Sequence, residues 1–162
     1  MIARSVPVPR DALLSTYVRQ DGTYTDCFEV MHPLEADLPA FIAAFYTTWL
    51  FRMERAVLTV TSRKWSKDKD VAALADGGAE NFAAWRVEDR AATQILLCDL
   101  GGHTRSWLAV APKEGGTTRL LFGSAVVARN GTLPVWVRAT IPVHRFYARA
   151  LLRVAERKLR RG

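Results

Sequence analysis

From Tyr24 to Met31 the apolar Cys27, Phe28 and Val30 are set among polar residues, and the segment closes on His32-Pro33. That pattern predicts a strand, ended by a proline that cannot donate to a ladder. A helical period follows. Asp37 before Leu38-Pro39 is a helix-start signal, and Leu38, Ile42, Phe45, Trp49, Met53 and Val57 recur at helical spacing to about Val60. Ser66 to Gly78 is charged, then alanine-rich, then Gly77-Gly78, which predicts a short surface helix or loop. From Asn81 the pattern becomes that of strands, over Phe82 to Asp89, Thr93 to Leu100, Thr104 to Pro112 and Thr117 to Arg129. Asp89-Arg90, Gly101-Gly102 and Gly115-Gly116 separate them and Asn130-Gly131 follows, short connections that join antiparallel neighbours. Pro134 to Thr140 suits either a further strand or the approach to the last helix. Pro142, with Thr140 as its cap, is expected to open that helix, which runs to about Arg160.

Strand, helix, antiparallel meander and closing helix make an α+β fold, with a curved antiparallel sheet gripping a long C-terminal helix. A single domain over 1–162 is expected, with an irregular N-terminal arm at 1–22 and the core at 23–160. Both faces of the last two strands are apolar: Trp107 and Ala109 alternate with Leu108 and Val110, and Phe122 and Val126 with Leu121, Gly123 and Ala125. A face left to water alternates with polar residues. The second face must therefore be covered, by the N-terminal arm or by a second subunit.

Composition adds limits. The chain has 162 residues, 49% hydrophobic and 24% charged, which fits a folded domain. Leu38 to Phe51 is too short to span a bilayer, and the N-terminus lacks a secretory signal pattern, so a cytoplasmic location is expected. Cys27 and Cys98 are expected to be buried, reduced thiols. The net charge is +7, yet seven basic residues against Glu156 alone lie between His144 and Gly162. On a helix, Arg145, Arg149, Arg153, Arg157 and Arg160 form a stripe opposite Tyr147, Leu151, Leu152, Val154, Ala155 and Leu159. The stripe is either a solvated outer face or a surface for anionic contacts through Arg145, Arg149, Arg153 and Arg157.

The element order resembles the START-like, or SRPBCC, helix-grip superfamily, in which a sheet grips a C-terminal helix around a cavity for apolar ligands. Arg105-Ser106-Trp107-Leu108-Ala109-Val110, Leu121-Phe122-Gly123-Ser124-Ala125-Val126 and Pro142-Val143-His144-Arg145-Phe146-Tyr147 are similar to a bacterial domain of unknown function. That domain occurs alone or after epimerase-like short-chain dehydrogenase domains. No dehydrogenase half is present here, so the resemblance implies a stand-alone version, and it carries over no established chemistry.

Several chemistries lack support. No GxGxxG or Walker loop occurs, so no nucleotide cofactor is expected. Ser124 lies in Phe-Gly-Ser-Ala-Val within a strand, without the sharp turn that exposes a hydrolase nucleophile. Cys27, His32, Cys98 and His103 have the chemistry of a zinc set, but a five-residue offset in a strand points each pair to opposite faces, and no metal is expected. Glu88 and Asp89 are expected to solvate a loop. Arg138 and Asp99 either anchor a polar ligand head or pair at the surface. The tryptophans are not interleaved with cations, which argues against nucleic acid.

Expectation therefore centres on a small hydrophobic or amphipathic ligand between sheet and closing helix. Trp107 and Phe122 are its apolar wall, and His144 and Tyr147 its polar contacts. His144 is placed in the first helical turn, where it is either a ligand contact or a structural group bonded to a backbone carbonyl. The alternatives are a homodimerisation or other interaction module built on the second apolar face, and a cyclase- or isomerase-like enzyme with His144 as base. Catalytic residues are not assigned.

Overall fold

The computed structural model describes residues 2–48, 68–82, 85–128 and 131–161. Seven antiparallel strands form one sheet: β1 (Arg4–Ser5), β2 (Tyr24–His32), β3 (Asn81–Phe82), β4 (Trp85–Ala91), β5 (Gln94–Asp99), β6 (Thr104–Lys113) and β7 (Thr117–Val126). Their order is β1-β2-β7-β6-β5-β4-β3. The meander β4 to β7 follows from its tight turns, and β2 then pairs with β7 over its whole length, from Tyr24 opposite Val126 to His32 opposite Thr118. The result is an α+β fold, a curved antiparallel sheet against a long C-terminal helix.

Helices α2 (Leu38–Tyr46), α3 (Asp68–Ala75) and α4 (Val135–Leu159) pack on one face. Asp37 caps α2 as its sequence indicates, its carboxylate accepting from the Ala40 N–H. The described helix ends at Tyr46, where the Thr47 and Thr48 hydroxyls donate to the carbonyls of Ala43 and Phe45. The expected continuation through Trp49, Met53 and Val57 lies outside the described residues. Phe41, Ile42 and Phe45 of α2, Leu74 of α3 and Leu151, Leu152 and Ala155 of α4 bury together against Phe28, Leu108, Leu120 and Phe122. α3 is thus half core, with Val71, Leu74 and Ala75 buried.

The closing helix differs from expectation. It starts at Val135, directly after Pro134, and Pro142 lies inside it. Pro142 has no N–H for the Arg138 carbonyl, but that side of the helix is exposed and water can take the acceptor. Thr140 is no cap: its hydroxyl donates back to the Val137 carbonyl.

On the outer face of the sheet the arm is irregular chain with two short elements, and it packs closely. β1 pairs with β2, and Ala12 and Leu14 bury against Cys27, Leu96, Trp107 and Leu121. α1 (Ser15–Val18) continues the cover. Gly123 makes the close approach possible, because a Cβ there would lie 2.6 Å from Leu14 Cδ2 and 3.0 Å from Trp107 Cε3. Gln94 fastens the arm: its carbonyl accepts from the Leu13 N–H (2.9 Å) and the Trp107 indole (3.0 Å), and its amide donates to the Asp11 carbonyl (3.1 Å). Of the two covers expected for this face, the arm or a second subunit, the chain's own arm is the one seen.

Candidate functional site

Alternation along β2 sends Tyr24, Asp26, Phe28, Val30 and His32 to the helix side. Register then sets Asp26 beside Ser124 of β7, and Ser124 beside Ser106 of β6. Three polar residues thus form a row across this face. Tyr46 of α2 joins it, its hydroxyl 3.2 Å from Ser106 Oγ. Asp26 and Ser106 are 8% exposed and Ser124 6%, against 0%, 0% and 6% for Phe28, Leu108 and Phe122 in the next row on the same face. Half-buried His144 of α4 stands at the outer end of the polar row.

The hydrogen bonds at that end are directional. Asp26 Oδ1 accepts from the Ser124 hydroxyl (2.6 Å) and the Ser124 N–H (3.2 Å), and Oδ2 accepts from the Tyr24 hydroxyl (2.9 Å). His144 Nε2 stands 2.9 Å from Ser124 Oγ and 3.3 Å from Asp26 Oδ2. Burial opposes the charge on Asp26, but the bonds from His144, Ser124 and Tyr24 outweigh it and hold the carboxyl below the usual carboxylate range. Burial and the adjacent Asp26 charge push the Tyr24 phenol above its ordinary value. A carboxylate and a serine that already donates to it both face Nε2, so Nε2 carries a proton, and in the neutral imidazole Nδ1 is then the acceptor.

This is not a hydrolase triad. In such a triad the histidine accepts the serine proton on the nitrogen remote from the carboxylate. Here the Ser124 hydroxyl is spent on Asp26, and serine and carboxylate share one imidazole nitrogen.

The four expected lining residues do not form one wall. Phe122, His144 and Tyr147 lie on the helix side; Phe122 packs on Phe45 with ring centroids 4.9 Å apart, and Tyr147 packs against the same core. Trp107 points to the opposite face, where with Gln94, Ala12 and Leu121 it lines a separate cleft of about 300 Å³ under the arm. Its strand neighbour Leu108, not Trp107, shares a face with Phe122. His144 lies in the third turn of α4 rather than the first, so Asp26 and Ser124, not the helix terminus, set its electrostatics.

Other candidates are structural. Asp99 shapes the turn to β6, accepting from the backbone N–H groups of Gly101, His103 and Thr104. Arg138 is exposed. Cys27 and Cys98 are buried free thiols, and burial pushes Cys27 up to about 12. His32 sits on the other face from Cys27, its Nδ1 3.3 Å from Glu156 Oε1 of α4 in a buried pair. Glu88, expected to be solvated, sits at a bulge in β4 and bonds the Tyr17 hydroxyl and Arg105, pinning α1 to the sheet. Trp136 lies in α4, and its side chain is outside those described.

Sequence reasoning passed over Asp26, Tyr24 and Ser106. The available signal was parity, since Asp26 shares the face of Phe28 and Val30, and a carboxylate on a buried face needs partners.

No protein-family model matches the sequence, and no curated protein does. Among solved structures, the crystal structure of Ara h 8.0201 aligns over 87% of this chain and the whole of that one, at 9% identity and a TM-score of 0.43.

Proposed function

We propose that the chain binds a small amphipathic molecule at the His144 end of the space between sheet and α4. The observation that carries this reading is the buried polar row Asp26–Ser124–Ser106, flanked by apolar side chains and ending at half-buried His144. Apolar walls with a few convergent polar groups are the general form of a small-molecule site. Phe122 and Tyr147 offer the apolar surface. His144 Nδ1 and the remaining lone pair of the Tyr24 oxygen offer acceptors, so the polar end of the ligand is a hydrogen-bond donor such as an alcohol, phenol or amide N–H. The test is native mass spectrometry of the protein isolated from its own cells. A stoichiometric small molecule is expected, lost in His144→Ala and in the space-filling Ser106→Leu, and retained in Trp107→Phe. Recovery of the protein without any adduct, or an adduct indifferent to both His144 and Ser106, overturns it.

One observation favours a second reading in which the bound molecule is also transformed. An imidazole tethered through Nε2 to a carboxylate presents Nδ1 as a general base, the arrangement a cyclase- or isomerase-like proton abstraction needs. Deuterium exchange at an acidic C–H of the recovered molecule, accelerated by the wild type and not by His144→Ala, supports catalysis. Equal exchange with both leaves binding alone.

A further inference from the structure

The outward face of α4 divides along its length. Its first half exposes Val135, Val143 and Phe146, the last 77% exposed. Its second half exposes Arg149, Arg153, Arg157 and Arg160. At 100° per residue Val135, Ala139 and Phe146 fall on the same arc as Arg149, Arg153 and Arg157, with Arg138 and Arg145 along one border. The one acid of the helix, Glu156, is turned inward to His32. Arg149 leans over the Phe28 ring and Arg160 lies 3.9 Å from Glu156, whereas Arg138, Arg153 and Arg157 have no ion-pair partner among the described residues. One surface thus combines protruding hydrocarbon with uncompensated positive charge.

We propose that this face docks on an anionic phospholipid bilayer, with Phe146, Val143 and Val135 entering the interfacial region and the arginines lying over the headgroup phosphates. Charge complementarity selects the occupant. A second copy would bring the same unpaired arginines against themselves, and a polyanion without hydrocarbon leaves Val135 and Val143 in water. An anionic bilayer satisfies both halves at once, since interfacial binding scales with buried apolar area plus attraction to acidic lipid. The axis then lies in the membrane plane, and no helix among the described residues is long and apolar enough to cross it.

The experiment is flotation of the full chain with phosphatidylcholine vesicles, with and without phosphatidylserine, at low and physiological salt. Binding is expected only with phosphatidylserine and to weaken with salt. Arg153→Gln and Arg157→Gln should each lower partitioning about fivefold. Phe146→Ser should lower it about tenfold, and Val143→Ser gives the same direction from an independent exposed site. Unchanged thermal melts show that these surface variants fold. Failure to bind phosphatidylserine vesicles at low salt overturns the proposal, and so does binding that ignores Phe146 and Val143. Duplex DNA binding with the same arginine dependence and no Phe146 dependence assigns the face to nucleic acid, and a dimer dissolved by Phe146→Ser assigns it to self-association; either refutes bilayer docking.

Discussion

Replacing Asp26 by Asn tests the candidate site at its centre. The amide oxygen can still accept from the Ser124 N–H and hydroxyl, but the amide nitrogen now faces the Tyr24 hydroxyl and His144 Nε2, where the carboxylate accepted. Tyr24 can rotate and accept. His144 must move its proton to Nδ1 so that Nε2 can accept, reversing its outward polarity. Four charge-assisted bonds lose their charge at about 1 kcal/mol each, and because they share one carboxylate the loss is about 2 to 3 kcal/mol. The pH dependence has a definite sign. Asp26 titrates below its unfolded value, so its contribution is fully present above about pH 5 and is lost as the pH falls through the depressed folded pKa, below about pH 4. Urea unfolding followed by tryptophan fluorescence should show a gap between wild type and Asp26→Asn at pH 7 that narrows as the pH falls below about 4. Nitrogen-15 spectra of the His144 ring should show Nε2 protonated in the neutral wild type and Nδ1 in the variant. An unaltered tautomer, or a gap that persists unchanged into acid, refutes the hydrogen-bond directions assigned here.

Two further outcomes follow from the packing. Leu14→Ala removes a fully buried side chain at about 2 to 5 kcal/mol, and Gly123→Ala overpacks the same contact at about 1 to 3 kcal/mol; because Leu14 Cδ2 is the nearest obstacle to the new Cβ, the double variant should cost at least about 0.5 kcal/mol less than the sum in denaturant melts, and strict additivity would mean the arm does not seat on Gly123. Glu156→Ala leaves buried His32 without its partner and should cost about 1 to 3 kcal/mol in the same melts, so a loss under about 0.5 kcal/mol would show that the pair does not tie α4 to β2.

Local pattern and tertiary pairing divided the information. Strand β2 and the turns of the meander were legible because glycine pairs, proline and alternation act over a few residues. Asp37 as a cap was legible for the same reason. The start of α4 was misplaced because a proline inside a helix reads like one at its first turn; only its exposed position, where water serves the stranded carbonyl, distinguishes the two. Trp107 was assigned to the wrong wall although it alternates with Leu108 in plain view, because parity separates two faces without saying which one receives the helix.

By itself the sequence determined an antiparallel sheet with a long closing helix, a second apolar face in need of cover, and a concentration of arginine on that helix. The tertiary structure alone decided that the arm provides the cover and that His144 meets a carboxylate. Asp26 and Ser124 lie 98 positions apart and are brought together by the register of β2 on β7, and His144 reaches them only because α4 crosses that end of the sheet. Side-chain period is a local property of backbone geometry, whereas register is settled by the whole buried face at once, so a site assembled across strands exists only after the core has closed.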